Sequence, residues 1–229
     1  MRKFVFTGAC LATLTFTGMA SAADMPVKAP MVAAAPAYNW SGCYLGVHAG
    51  GIWGKSHVDI PLYPQNFDIS MNSWVGGGQI GCNYIFAPMW LVGIEADGSW
   101  FNLNGDHSTI GLGGTERYAV KWNNSFSLRS RLGMISGNNL FYVTAGGSWA
   151  HLDTANYIPP NGGVKSATAP GWIAGLGWEH GLMCGTLRCV VGVEWLHAHY
   201  NTQNFVYLGP TSVDLTTDTI RARFSLLFP

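Results

Sequence analysis

From about residue 42 to the C-terminus, apolar residues recur at every second position over segments of about ten to fourteen residues, separated by stretches rich in Gly, Pro, Asn and Asp. Side chains of an extended strand point alternately to its two faces, so a period of two sustained over that length predicts strand. In the segment 119–133, Val120, Trp122, Asn124, Phe126, Leu128 and Leu132 share one face, and Lys121, Asn123, Ser125, Ser127, Arg129 and Arg131 share the other. Segment 90–100 sets Trp90, Val92, Ile94, Ala96 and Trp100 against Gly93, Glu95, Asp97 and Ser99, and the last segment sets Ile220, Ala222, Phe224, Leu226 and Phe228 against Thr219, Arg221, Arg223 and Ser225. Eight such segments fall at 42–53, 73–86, 90–101, 119–133, 139–151, 170–182, 189–200 and 214–228. Their connections alternate long and short: 54–72, 102–118, 152–169 and 201–213 are long, while 87–89, 134–138 and 183–188 are tight. An even number of strands with long and short connections in alternation predicts an all-β fold, an eight-stranded antiparallel up-and-down barrel.

Composition bears on what surrounds that barrel. Only 10% of the residues are charged, against about 25% in ordinary soluble domains. No run reaches the roughly 18 apolar residues of a spanning helix, so strands must do any crossing. A soluble lipocalin-like barrel alternates in the same way but turns its apolar face inward; a transmembrane β-barrel inverts this because lipid replaces water outside. Tryptophan placement favours the membrane. Trp90 and Trp100 share a face ten residues apart, roughly 25 Å along the axis of a barrel whose strands tilt by about 40°, which is the height of a lipid-facing band. Trp74 and Tyr84 repeat the spacing, and Trp53, Trp122, Trp149, Trp172, Trp178 and Trp195 fall on the apolar parity of their strands, as an aromatic girdle at two lipid–water interfaces would require.

The opposite parity carries Lys121, Arg129, Arg131, Arg221 and Arg223 against Glu95, Asp97, Glu179 and Glu194. Five positive and four negative groups nearly cancel, as charges enclosed in a narrow lumen must. Gly46, Gly50, Gly77, Gly81, Gly93, Gly175 and Gly177 on the same parity leave room for long side chains, so the expected interior is filled by polar and charged groups rather than open.

The chain opens with Arg2 and Lys3, a mostly apolar run from Phe4 to Met19, and Ala20, Ser21 and Ala22. That is a secretory signal with a small-residue cleavage site, expected over 1–22. Its removal takes Arg2 and Lys3 from the 12 basic residues, leaving 10 against 12 acidic and a net charge of −2, without the basic excess a nucleic-acid partner would need. The Ala- and Pro-rich stretch 23–39 reads as an extended periplasmic linker, with the barrel at 40–229.

Several stretches taken together resemble one family, the small porin-like outer-membrane proteins of alphaproteobacteria, within the wider OmpA-like and opacity-protein superfamily. They are WSGCYLGVHAGGIWG (40–54), LVGIEADGSW (91–100), SLRSRLGMISGNNLFYVTAGGSWA (127–150), GWIAGLGWEHGL (171–182) and VVGVEWLH (190–197). The resemblance implies a bacterial outer-membrane location, outer-membrane lipid as surroundings, loops at the cell surface open to host or surface ligands, and a structural or host-facing role. It also implies recognition of the C-terminal strand by the barrel-assembly machinery. The family usually ends on an aromatic residue, whereas here Phe228 is followed by Pro229.

Four cysteines lie beyond the signal. Cys184 and Cys189 flank a tight turn, and Cys43 and Cys82 are placed symmetrically about the connection 54–72, so the expected bonds are Cys43–Cys82 and Cys184–Cys189 in an oxidising compartment. No His accompanies either pair, which disfavours zinc. His197 and His199 share a face of the seventh strand, and His180 lies on the outward parity of the sixth. No Ser and acid accompany them at fixed spacing, so the reading is of interfacial histidines, with haem or metal at the surface as the alternative. The Gly-rich stretches precede no helix and so cradle no phosphate. The sequence therefore predicts no catalytic residues, no cofactor and no metal: a monomeric, non-enzymatic barrel with a structural and surface role, the alternatives being a narrow porin-type channel and a surface receptor.

Overall fold

The computed structural model describes residues 38–60, 65–111, 114–156, 163–206 and 210–228. The expected signal at 1–22, the linker up to residue 37 and Pro229 lie outside them. Eight strands run in chain order: β1 (Gly42–Ile60), β2 (Gln65–Ala87), β3 (Trp90–Gly111), β4 (Gly114–Ser136), β5 (Asn139–Asn156), β6 (Gly163–Cys184), β7 (Leu187–Val206) and β8 (Pro210–Phe228). Each pairs antiparallel with the next, and β1 pairs with β8, from Cys43 opposite Phe228 to Asp59 opposite Ser212, so no edge is left open. Strand number and pairing are as the alternation predicts, but the strands are 18 to 23 residues long and absorb most of the connections read as long loops.

The tight ends are two-residue turns. Gly137 and Gly185 sit at φ of 59° and 67°, the left-handed conformation that lets the chain reverse without splaying two twisted strands. The cysteines lie at this end. Cys43 stands opposite Cys82 in the β1–β2 ladder and is bonded to it, and Cys184 and Cys189 close the β6–β7 turn with Cα atoms 5.9 Å apart. Tryptic mapping without reductant should return these two links and no crossed ones. Chain entropy assigns about 2 kcal/mol to the shorter loop and about 4 kcal/mol to the longer, so reduction should leave the heat-modifiable folded band on a gel. Unfolding on reduction would mean that the ladder alone does not hold the barrel.

The greater length has a physical reason, visible along any one strand. On β3, outward-facing Val92, Ile94 and Trp100 give way to Asn102, Asn104 and Asp106, while inward-facing Glu95, Asp97 and Ser99 give way to Phe101 and Leu103. On β1, outward Leu45, Val47 and Trp53 give way to Lys55 and His57 as the inward face passes from His48 to Ile52 and Val58. The alternation continues but the chemistry of the faces exchanges. Where lipid surrounds the wall the greasy face points out; beyond the girdle water surrounds it, and the barrel closes on an apolar core as a soluble one does. A strand of 22 residues spans roughly 55 Å along the axis at a tilt of about 40°, about twice the lipid-facing band.

A bulge on β4 decides which way its upper half faces. Between β4 and β5 the pairing runs Trp122 with Leu152 and then Asn124 with His151, leaving Asn123 as an extra residue. An inserted residue moves every side chain on one side of it to the opposite face. Two expectations fail for this reason. Trp122, placed in the girdle by its parity with Phe126, is fully buried in the interior, and Lys121, placed in the lumen by its parity with Arg129, is exposed on the outer wall.

Candidate functional site

The interior is stacked in three layers. At the turn end, Tyr38 and Trp40, ahead of β1, fold into the barrel mouth and pack with Tyr44, Leu91, Leu140, Tyr142, Val190 and Leu227. Tyr38 lies against Gly181, where a Cβ would come within 2.6 Å of its ring, and its hydroxyl donates to the Cys189 carbonyl at 3.0 Å. Burial pushes the Tyr38 phenol up to about 12, so it stays a donor at any physiological pH. Arg188 holds the same segment by donating to the carbonyls of Asn39 at 2.7 Å and Ser41 at 3.1 Å. Tyr38 and Asn39, read from composition as linker, are thus part of the barrel; their neighbours' Ala and Pro content hid one aromatic anchor beside another.

The middle layer holds the charges. Glu95 and Asp97 on β3, Arg129 and Arg131 on β4, Glu179 on β6, Glu194 on β7, and Arg221 and Arg223 on β8 are all buried. With Lys121 outside, four arginines face four carboxylates. Acidic β3 lies beside basic β4 and acidic β7 beside basic β8, so Glu95 stands opposite Arg129 and Glu194 opposite Arg221 in their ladders. Further contacts join these neighbouring strands, and others, Arg223 to Glu95, Arg129 to Glu194 and Arg221 to Asp97, cross the lumen. Arg223 bonds Glu95 and reaches Glu194 at 3.0 Å, and Arg129 bonds Glu95, donates to Asp97 at 2.8 Å and reaches Glu194 at 3.1 Å. Arg221 donates to Glu194 at 2.8 Å and pairs with Asp97 at 3.2 Å. Arg131 is forked onto the Asn83 carbonyl oxygen at 2.8 and 2.6 Å, pairs with Glu179 at 3.4 Å, and lies 4.6 Å over the Tyr44 ring. Spare carboxylate lone pairs are taken by the hydroxyls of Tyr44 on Glu95, Ser127 on Asp97 and Tyr142 on Glu194.

Tyr44, Tyr142, His48, Gln79 and Asn83 went unremarked in the sequence. A signal was present for the tyrosines: each stands on the inward parity opposite a glycine, Tyr44 facing Gly81 and Tyr142 facing Gly177, and lays its ring over the bare backbone. His48 bonds Gln79 at 2.8 Å and Ser99 at 3.0 Å, linking the charged layer to the wall of β2.

The third layer corrects the expectation of a lumen polar throughout. Above the charges, Ile52, Val75, Phe101, Leu103, Trp122, Leu152, Leu196, Tyr200 and Leu215 belong to an apolar core. Between it and Asp97 lies a cavity of about 20 Å³, room for about one water molecule.

Outside, Trp53, Trp74, Trp100, Trp149 and Trp172 project at the upper edge of the apolar band, and Tyr84, Trp90 and Trp178 near the turn end; Trp195 is exposed one row below His197. His197 lies 5.6 Å from Trp172 and 6.3 Å from Trp195, with Asp218 at 3.0 Å, and His199 bonds Thr216 at 3.1 Å. His180 sits at the turn end, 3.0 Å from Asn139. Among the described residues, no three His, Cys, Asp or Glu side chains are placed to hold a metal ion.

A family profile agrees with this architecture. A profile of the outer membrane protein beta-barrel domain matches residues 9–228. The 25 kDa outer-membrane immunogenic protein of Brucella abortus is 29% identical over 236 residues, covering 100% of this chain and 99% of its own. The 31 kDa outer-membrane immunogenic protein of Brucella melitensis is 26% identical, covering 83% and 85% respectively. The crystal structure of Neisserial surface protein A superposes with a TM-score of 0.41 at 10% identity, over 82% of this chain and 98% of that one. A closed ring of eight antiparallel strands with a greasy band outside and paired charges within, matched by that profile over nearly its whole length, belongs to the outer-membrane β-barrel domain family, and its place is the bacterial outer membrane.

Proposed function

We propose that this protein is a non-enzymatic, non-conducting barrel that serves the envelope as a structural and surface-exposed element. The observation that carries the reading is the three-layer obstruction of the lumen. An ion entering from the turn end meets Tyr38 and Trp40, then four arginines and four carboxylates already bonded to one another, then an apolar core. To pass, it would have to separate buried ion pairs and then enter a region with nothing to replace its hydration shell, each step costing several kcal/mol. The carboxylates are likewise engaged by guanidinium and hydroxyl donors, which leaves none poised as a base. The Brucella relatives are named as outer-membrane immunogenic proteins, which supports a surface-facing role for the long-loop end, since bacterial barrels keep their short turns in the periplasm.

Planar-bilayer recording of the purified, folded protein is the test. The expected trace is silent, with no reproducible single-channel steps at neutral pH in molar salt. Large, stable steps from the isolated protein would establish a narrow channel instead.

A further inference from the structure

A groove of about 530 Å³ lies on the outer wall at the upper rim of the girdle, where β8, β1 and β2 run side by side. Two rows of residues face it. Lys55 is flanked by Ser70 and Thr216, and one row nearer the membrane Trp53 is flanked by Asn72 and Asp218. Half of the Trp53 surface is exposed, and below it the outer wall continues through Gly51 to Trp74 and Ile220 in the apolar band.

The groups in this groove are mostly unspent donors. Among the described residues, the Lys55 ammonium, the Asn72 amide and the Trp53 indole N–H have neither a hydrogen bond nor an ion pair, and the wall beside them adds the hydroxyl of Ser70, while that of Thr216 is already bonded to His199 at 3.1 Å. The one acceptor of full charge, Asp218, is held from the other side by His197 at 3.0 Å. A cation and several neutral donors around an aromatic face suit a ligand that offers acceptors only at one end, as a phosphate does, and hydroxyls with an apolar C–H face at the other, as a sugar ring does. The height of the groove adds a third requirement. Exposed tryptophans mark the boundary between hydrocarbon and headgroups, so whatever fills a groove that begins at Trp53 and rises one row above it can keep its tails in the band below.

We infer that this groove seats the phosphorylated sugar headgroup of an outer-leaflet glycolipid, with Lys55 on the phosphate, the Trp53 ring under the sugar face, and Asp218 accepting from a sugar hydroxyl. The inference is independent of whether the lumen conducts, because the groove lies on the other side of the wall. A soluble sugar phosphate offers the same head chemistry without the tails, and the two sources separate experimentally.

The mature chain, folded in a neutral detergent, is titrated with bisphosphorylated lipid A and, separately, with glucosamine 1-phosphate, and bound copies are counted by native mass spectrometry. One lipid A should bind with preference over further copies, and Lys55→Gln should weaken that site about tenfold, the loss of one charge-assisted contact. Lys121→Gln, which removes an exposed charge from the β3–β5 side of the barrel, should leave it unchanged. Both side chains lie outside the core, and the heat-dependent gel shift verifies that each variant has folded. Equal affinity of Lys55→Gln and the unaltered protein, or an equal loss in Lys121→Gln, would overturn the site. Binding of glucosamine 1-phosphate as tight as that of lipid A would overturn the lipid as its occupant.

Discussion

Glu95→Leu should cost the barrel about 3 to 5 kcal/mol of unfolding free energy, the usual consequence of leaving a buried charge without its partner. Glu95 takes bonds from Arg129, Arg223 and Tyr44, and Arg131 and Arg221 lie within 3.7 and 3.9 Å of it. Without it, four guanidinium groups share three carboxylates in a layer closed above by apolar side chains and below by tyrosine and tryptophan. The charge has nowhere to be hydrated. Removing Arg129 as well, which stands opposite Glu95 in the ladder, restores the balance at three and three. The double substitution Glu95→Leu with Arg129→Leu should therefore recover at least half of the loss, even though it deletes more bonds than the single one. Urea titration of the protein folded into lipid vesicles measures both. A single variant within about 0.5 kcal/mol of the parent, the range of ordinary surface substitutions, would mean that water reaches the charged layer and that the lumen is not closed.

Trp122→Ala should be of comparable size, about 3 to 5 kcal/mol, the range for emptying a buried aromatic site. Trp122 is fully buried, 5.9 Å from the Tyr200 ring in the apolar core above the charges. Trp74→Ala is the comparison: 84% of the Trp74 surface is exposed, so truncation removes contact with lipid but opens no cavity, and the loss should be much smaller. The contrast checks the bulge at Asn123 as well as the packing. Were the strand regular, Trp122 would lie in the girdle beside Phe126 and the two variants would behave alike. Equal losses, by the same urea titration, would mean that the interior and exterior faces of upper β4 are assigned the wrong way round.

Alternation along the chain was enough to give the class of fold, the number and order of strands, and eight of the nine charges assigned to the lumen. The faces depend only on a residue's parity relative to others of its own strand, and the strand count and order on the succession of such segments and their connections, all of which are properties of the local sequence. The disulfide positions were legible for a related reason: antiparallel neighbours joined by one connection are symmetric about its centre, so Cys43 and Cys82 had to meet if the first two strands paired at all. The sequence also carried the neutrality of the interior to within one charge.

What it could not carry was anything that depends on height in the membrane or on a partner far along the chain. Asn123 reads as an ordinary member of an alternating segment; only the pairing with His151 and Leu152 on β5 reveals it as an insertion that sends Lys121 out and Trp122 in. The exchange of faces above the girdle is invisible to period two, which records that the faces differ but not which of them meets lipid, water or the opposite wall. Contacts across the lumen, such as Arg223 with Glu95 at a separation of 128 residues, exist because the ring closes between β1 and β8 at one register. Tyr38 and Trp40 become the plug of the barrel mouth for the same reason: closure creates a cavity there, and their two rings pack into it. Local alternation made the strands, and the solvent on each side of the closed wall decided what each face was for.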